Sequence, residues 1–191
     1  MSVAANALAT LDEVKNFYGM VGSKQVDDDL LEDLINRITQ IFETYCGVNS
    51  FKAANYTEYI DGESAKYIFP INTPLVSITS INDDYDWTWA SDTLLDSGDY
   101  RIVDQRYIVS KDFSFSRGDQ NLKLIYRAGY ETIPDDLKQS CIEEVSRKYK
   151  HRRDIDIETK SLEDGDATYS TSSFLPTTME VLHKYKTMWV N

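Results

Sequence analysis

The stretch "LIYRAGYETIPDDLKQSCIEEV", residues 124–145, decides the fold, because a strand pattern changes into a helix pattern within it. Its first part is rich in β-branched and aromatic residues until Gly129 interrupts it. Thr132 is placed to cap a helix, and Pro134 falls in the first turn, where its missing N–H does no harm. Asp135-Asp136 complements the helix dipole. Such a joint either carries an active site or connects two parts of a scaffold.

Two helices are predicted before this joint. Residues 10–18, "TLDEVKNFY", begin with Thr10 and Glu13 at the spacing of a capping box. In residues 27–47, "DDDLLEDLINRITQIFETYCG", apolar residues recur every three or four positions, and Gly47 stands where a left-handed cap belongs. The initial aspartates are interpreted as capping residues rather than a metal site. The buried face is expected to contain Leu30, Leu31, Leu34, Ile35, Ile38, Ile41, Phe42 and Tyr45.

The apolar period changes from 3.6 to 2 near residue 55, which predicts about six short strands ending near residue 128. Residues 56–69, "YTEYIDGESAKYIF", are interpreted as two strands around an Asp61-Gly62 turn. We therefore predict an α+β fold, with a small helical core, an inserted antiparallel β subdomain and a C-terminal arm. The helical core comprises residues 1–54 and 131–153, the β subdomain residues 55–130, and the polar loop with its C-terminal helical arm residues 154–191.

Charge and cysteine content narrow the function. The 191 residues carry a net charge of −12, which argues against a protein that wraps nucleic acid, because phosphate binding needs concentrated Lys and Arg. No segment has the length and apolar character expected of a membrane span. Cys46 and Cys141 fall in predicted helices and are expected to be reduced, buried thiols, although a disulfide stays open if the helices pack together.

Motifs of catalysis are missing from the sequence. It contains no Gly-rich phosphate loop, Gly-x-Ser-x-Gly elbow, Cys-x-x-Cys or His-Glu-x-x-His, and spacing places no partner beside His151 or His183. We predict no catalytic, metal-binding or cofactor-binding residues. Two alternatives stay open. One is a metal-dependent hydrolase using carboxylates of residues 154–166, and the other is a carbohydrate- or protein-binding β domain using Trp87 and Trp89, which alternation would place on one strand face.

The order of the segments resembles the head–tail connector, or adaptor, proteins of tailed bacteriophages. The resemblance covers about residues 8–170, and its most specific part is "YRAGYETIPDDL", residues 126–137. It is supported by "ATLDEVKNFYGM", "DDLLEDLINRITQIFETYCG", "YTEYIDG", "LDSGDYRI" and "ETKSLEDGDATYS" in this order.

The resemblance implies a non-enzymatic structural protein of the virion, made in the cytoplasm of a bacterial host. Such proteins form a ring with copies of themselves, usually twelve, beneath the portal protein. The ring extends the DNA channel and offers a surface to the next head-completion or tail protein. Genomic DNA passes without specific binding, and neither a cofactor nor a membrane is involved. The joint at Gly129 is then a scaffold junction.

Two groups of residues are candidates for the portal or subunit interface. The first group contains large apolar residues in polar surroundings, namely Phe174, Leu175 and Trp189. The second is the basic end of the helix after the joint, with Arg147, Lys150, Arg152 and Arg153. These cations complement a helix dipole in any case. A basic end on an acidic chain is also self-complementary, so copies that meet basic end to acidic face would make a heterologous contact, which closes into a ring when the rotation between copies fits.

Overall fold

The computed structural model describes residues 2–17, 19, 27–152, 159–162, 165–168 and 174–186. The chain divides into two compact units, one made of Met1–Asn49 with Ile133–Asn191 and the other of Ser50–Thr132. The first is built on helices and the second on strands, so the predicted α+β class with a β insertion between helices is confirmed. No helix among the described residues is both long and apolar enough to span a bilayer.

The helical unit contains α1 (Leu11–Phe17), α2 (Asp28–Cys46), α3 (Asp135–Lys150) and α4 (Pro176–Tyr185). Helix α2 packs against the other three helices, and α3 also packs against α1 and α4. The C-terminal helix therefore does not extend as a free arm, because its Leu182 is fully buried. The fully or nearly buried apolar residues of this unit include Leu8, Val14, Leu31, Ile35, Ile38, Phe42, Leu137, Cys141, Val145 and Leu182.

The helix ends follow the sequence signals at the start of α1 and at the end of α2, but not at the starts of α2 and α3. Thr132 was expected to cap α3, and this is wrong, because Pro134 is the residue before the helix and no side chain makes a capping hydrogen bond there. At α1 the capping box is confirmed, because the Glu13 N–H donates to Thr10 Oγ1 at 3.2 Å and the Thr10 N–H donates to Glu13 Oε2 at 2.8 Å. Gly47 ends α2 with φ 69°, as predicted. Asp27 was expected to cap α2, and this is wrong. Its side chain makes no capping hydrogen bond and instead accepts one from the Tyr149 hydroxyl at the end of α3.

The buried face of α2 is narrower than predicted. Leu30 is 36% exposed and Ile41 46% exposed, while Leu34 is half-buried. These residues are spaced by four and seven positions, so they share one side of the helix next to the packed side. Periodicity marked both sides as apolar, but the neighbouring helices cover only one of them.

The β insertion contains six strands: β1 (Ala54–Gly62), β2 (Tyr67–Ile68), β3 (Leu75–Asp83), β4 (Tyr100–Val103), β5 (Tyr107–Ser110) and β6 (Gly118–Ala128). They form two antiparallel three-stranded sheets, in the orders β1–β6–β3 and β2–β5–β4. A further hairpin, β7 (Thr159–Leu162) with β8 (Gly165–Thr168), lies in the segment that was expected to be a loop.

The predicted hairpin around Asp61-Gly62 is wrong, because β1 pairs with β6 and β2 pairs with β5. Gly62 lies inside the end of β1, opposite Gly118. Its N–H donates to Asn121 Oδ1 at 2.8 Å, and a Cβ at this position would lie 1.8 Å from the carbonyl oxygen of Ser116. The glycine therefore serves a close approach of two backbones rather than a turn.

The core of the β unit is packed around β6, the central strand of the β1–β6–β3 sheet. Leu122, Leu124 and Tyr126 alternate along its buried side. The Tyr126 hydroxyl donates to Glu58 Oε2 at 2.6 Å and accepts a hydrogen bond from the Asn72 side chain at 3.0 Å. Burial raises the pKa of Tyr126, and the Glu58 carboxylate raises it further. The buried phenol is thus satisfied within the unit.

The joint between strand and helix is a crowded backbone crossing. Gly129 follows β6 with φ 109°, and its N–H donates to the carbonyl of Pro74 at 2.8 Å. A Cβ here would lie 2.9 Å from the backbone of Ala53. The next residue, Tyr130, donates its N–H to the carbonyl of Phe51 at 2.7 Å. These bonds fasten the two ends of the insertion together.

Gly129→Ala is expected to lower the free energy of unfolding by about 1–3 kcal/mol, because it combines an unfavourable positive φ with a backbone clash. Urea denaturation followed by circular dichroism measures this loss. The control is Gly98→Ala in an exposed turn, which is expected to change stability by no more than about 0.5 kcal/mol. Equal stability of the two variants would show that the crossing tolerates a side chain.

Candidate functional site

The basic end of α3 is mostly paired inside the helical unit. Arg147 Nε and Nη2 donate to Glu144 Oε2 at 3.0 and 2.8 Å. The Arg152 guanidinium lies 3.9 Å from the centre of the Tyr149 ring, and its Nη1 donates to the Tyr149 carbonyl at 2.8 Å. Lys150 is exposed. Arg153 lies outside the described residues. Among the described candidates of this group, Lys150 is therefore the one that faces solvent.

Glu144 is a buried structural residue of the helical unit that the sequence did not point out. Its side chain is fully buried, and besides Arg147 it accepts a hydrogen bond from the Leu175 N–H, at 2.6 Å. The carboxylate holds the start of α4 against α3, and the guanidinium compensates its charge. A signal was present in the sequence, because Glu144 lies three positions after the buried Cys141 and thus on the apolar side of α3.

The apolar candidates at the C-terminus do not form one exposed group. Phe174 is 8% exposed, and its ring packs edge-on at 5.5 Å from Phe42 and 6.1 Å from Tyr45. The candidate interface residue Phe174 is therefore covered by side chains of its own chain. Leu175 is half-buried at the start of α4. Trp189 lies outside the described residues.

Polar contacts also fasten the end of α4. The Tyr185 hydroxyl donates to Asp136 Oδ1 at 2.6 Å, and the Leu137 N–H donates to the same oxygen at 2.9 Å. Burial alone would raise the pKa of Asp136, but these hydrogen bonds and Lys184 outweigh it and lower the pKa. His183 Nε2 lies 3.4 Å from the Tyr45 hydroxyl. These contacts hold α4 against α3 and α2.

Both cysteines are buried and free, as predicted. Cys46 Sγ donates a weak hydrogen bond to the Leu182 carbonyl at 3.5 Å. Burial raises the pKa of Cys46 to about 11 and that of Cys141 to about 12. Since the thiolate is the reactive form, neither side chain is suited to act as a nucleophile.

The native protein at pH 8 is expected to react with Ellman's reagent at least ten times more slowly than the same chain in guanidinium chloride, where both thiols react at once. The absorbance of the released thiolate measures the rate. Fast reaction of either native thiol would contradict the burial of Cys46 and Cys141. Free N-acetylcysteine in the same buffers controls for the effect of guanidinium on the reagent.

Trp87 and Trp89 lie in a loop after β3 and not in a strand, so the argument from alternation is wrong. Both have positive φ, of 54° and 55°, and the carboxylate of Asp84 anchors the loop by accepting the Trp89 N–H at 2.6 Å. Trp89 packs at 5.4 Å from the ring of Tyr59, while Trp87 Nε1 donates to the carbonyl of Asp119 at 3.0 Å. Each indole has its own local contact.

The acidic residues show no assembled site within the described structure. Across the part of the chain that is described, no three His, Cys, Asp or Glu side chains are grouped so as to hold a metal ion. The carboxylates of residues 154–166, which the hydrolase alternative needs, have side chains outside the described residues.

Comparison with known proteins adds a family to this picture. The family model of head completion proteins, HCP, matches residues 7–188. A chain in the neck of an empty gene transfer agent (GTA) particle, computed with C6 symmetry, has a similar fold. Its TM-score is 0.62 at 13% sequence identity, and the match covers 100% of this chain and 96% of the other. A chain in the neck of a native GTA particle, computed with C12 symmetry, has a TM-score of 0.61 and 14% identity over 100% and 96%.

A third similar chain is from the virion of a native gene transfer agent (GTA) particle, with a TM-score of 0.62, 13% identity, and coverage of 100% and 95%. At these identities the likeness concerns the fold. No curated protein matches the chain.

Proposed function

The chain belongs to the head completion protein family, and from this premise we propose that its copies form a ring beneath the portal of a phage-like head. It is a structural protein of the head–tail connection and not an enzyme, so the resemblance to phage connector proteins is confirmed. The family match over nearly the whole chain is the observation that carries this proposal.

The ring is supported by the fold and by the charge. Chains of similar fold occur in GTA necks with C12 and C6 symmetry, which agrees with twelve copies around one axis. The net charge of −12 suits a channel through which DNA slides, because repulsion between like charges keeps the DNA from binding to the channel wall. We propose the portal on one side of the ring and the next neck or tail protein on the other.

Disrupting the gene for this chain is expected to give DNA-filled heads and separate tails, because the ring that joins them is lost. Electron microscopy of the lysate measures the fraction of joined particles. Adding the purified chain to the separated parts is expected to restore joining, and a denatured sample of the chain serves as the control. Tailed, infectious particles formed without the chain would contradict the proposed function.

A further inference from the structure

Three basic side chains of the β unit line one open pocket. Lys66 directly precedes β2, Arg101 lies in β4 and Lys111 directly follows β5, so all three belong to the β2–β5–β4 sheet or its edges. The pocket has a volume of ≈ 590 Å³, and its lining also includes Tyr100, Val109 and Ser110. None of the described carboxylates lines it. Positive charge is therefore gathered at one place on this sheet.

This concentration of cations contrasts with the charge of the β unit as a whole. The unit contains eight basic and thirteen acidic residues, and three of the eight basic ones line this pocket. Lys66, Arg101 and Lys111 are all exposed, and none of them forms an ion pair with a residue that the structure describes. Elsewhere in the unit, Arg127 Nε lies 3.5 Å from Glu131 Oε1. The cations of the pocket are thus available to an anionic ligand.

Tyr100 supplies a hydroxyl donor to the same pocket. The hydroxyl makes no hydrogen bond within the described part of the chain, and the residue is half-buried. Burial raises the pKa of Tyr100, and the charge of Asp96 raises it further, so the hydroxyl keeps its proton. Asp96 itself is engaged, because its Oδ1 accepts the Gly98 N–H at 2.7 Å. The pocket therefore offers three cations and one neutral donor.

Phosphate groups on a DNA strand suit this set of donors. The guanidinium of Arg101 presents a planar fork that matches phosphate oxygens, and lysines bind phosphates as point charges. A DNA strand carries one phosphate for every ~3.4 Å of its axis, and neighbouring strands of a sheet lie ~4.8 Å apart, so cations on adjacent strands can meet successive phosphates. A single carboxylate would leave the other cations of the pocket without a counter-charge.

We propose that this pocket binds phosphate groups of the DNA backbone. The inference rests on the proposed function, because a ring around the DNA channel brings the chain beside DNA. Phosphate contacts carry no sequence information, so the DNA is held without being read. The acidic remainder of the chain weakens each contact, whereas contacts from several copies to one DNA molecule act together. Weak, repeated contacts of this kind retain DNA in the neck and still release it.

Binding of the purified chain to a short fluorescent DNA duplex, followed by anisotropy, tests the pocket. The logarithm of the binding constant is expected to fall against the logarithm of the salt concentration with a slope of about −2 to −3, because about 0.9 counterion is released for each phosphate that a cation neutralises. Arg101→Gln and Lys111→Gln are each expected to weaken binding about fivefold or more and to make the slope shallower by about 1.

Arg106→Gln is the matched control, because it removes the same charge from an exposed residue at the other end of the β4–β5 hairpin, outside the pocket. At about 0.1 M salt, where charges more than ~10 Å away are screened, it is expected to change the affinity by less than about twofold. Circular dichroism checks that all variants are folded. An equal loss in Arg106→Gln, or no duplex binding by the folded wild-type chain, would overturn the inference.

Two further measurements identify the anion. If inorganic phosphate raises the melting temperature of the wild-type chain but not of Arg101→Gln, while the duplex does not bind, the ligand is a free phosphate and the role in holding DNA is overturned. If Arg101→Gln binds the duplex normally but forms no ring on the portal, the pocket meets an acidic protein surface, which also overturns it. Duplex binding by the isolated chain needs no portal, so its failure leaves the proposed function intact. Failure of the wild-type chain to form a ring with the portal would instead remove the proposed function.

Discussion

Phe42→Ala is expected to lower the free energy of unfolding by about 3–5 kcal/mol, the usual loss for a large aromatic side chain in a core. The Phe42 ring is fully buried in α2 and meets the edge of Phe174 at a centroid distance of 5.5 Å. Its removal leaves a cavity at the point where the start of α4 packs on α2, and the surrounding helices cannot close it completely. Urea denaturation followed by circular dichroism at 222 nm measures the loss.

Ile41→Ala is the control for this experiment, because Ile41 precedes Phe42 in the same helix and is 46% exposed. Its expected loss is about 1 kcal/mol or less. If Ile41→Ala destabilised the chain as much as Phe42→Ala, the assignment of the two sides of α2 would be wrong.

Deleting residues 174–191 is expected to lower the free energy of unfolding by about 5 kcal/mol or more. The deletion removes the buried side chains of Phe174 and Leu182, and each such loss costs ~2–5 kcal/mol. It also removes the Leu175 N–H from the buried Glu144 carboxylate. Since whole domains are stable by only about 5–15 kcal/mol, the helical unit should unfold far below the wild-type melting temperature.

Thermal melts by circular dichroism measure this effect, and the rate of Cys46 modification should rise because the thiol loses its cover beside Leu182. Leu182→Ala should reproduce part of the loss, about 2–5 kcal/mol. Glu180→Ala on the exposed side of α4 should change stability by no more than about 0.5 kcal/mol. A cooperative melt of the truncated chain at the wild-type temperature would show that α4 is dispensable for folding.

The helices, the start of α1 and the end of α2 were predictable because their signals are local. The capping box of Thr10 with Glu13 and the left-handed Gly47 need only neighbours within a few positions. The change of period likewise located the β insertion. The pairing of the strands was not predictable in this way, because β1 pairs with β6 more than fifty residues away. A short-range turn signal at Asp61-Gly62 competed with that pairing and misled the interpretation.

In the candidate site, too, local sequence signals were predictive and contacts between distant residues were not. Phe174 is a candidate interface residue because its neighbours in sequence are polar, but its neighbours in space are Phe42 and Tyr45. The pairing of Arg147 with Glu144 and the stacking of Arg152 on Tyr149 also arise from the packed helices. Family membership could be recognised from ordered motifs, whereas the surfaces available for assembly required the fold.

The most direct test of the central claim is an electron microscopy map of the neck in purified particles that carry this chain. The account predicts twelve copies of the chain in a closed ring between the portal and the next neck protein, with the DNA channel along the ring axis. Particles complete in head, neck and tail, from which the chain is absent in both the map and the mass spectrum, would contradict it.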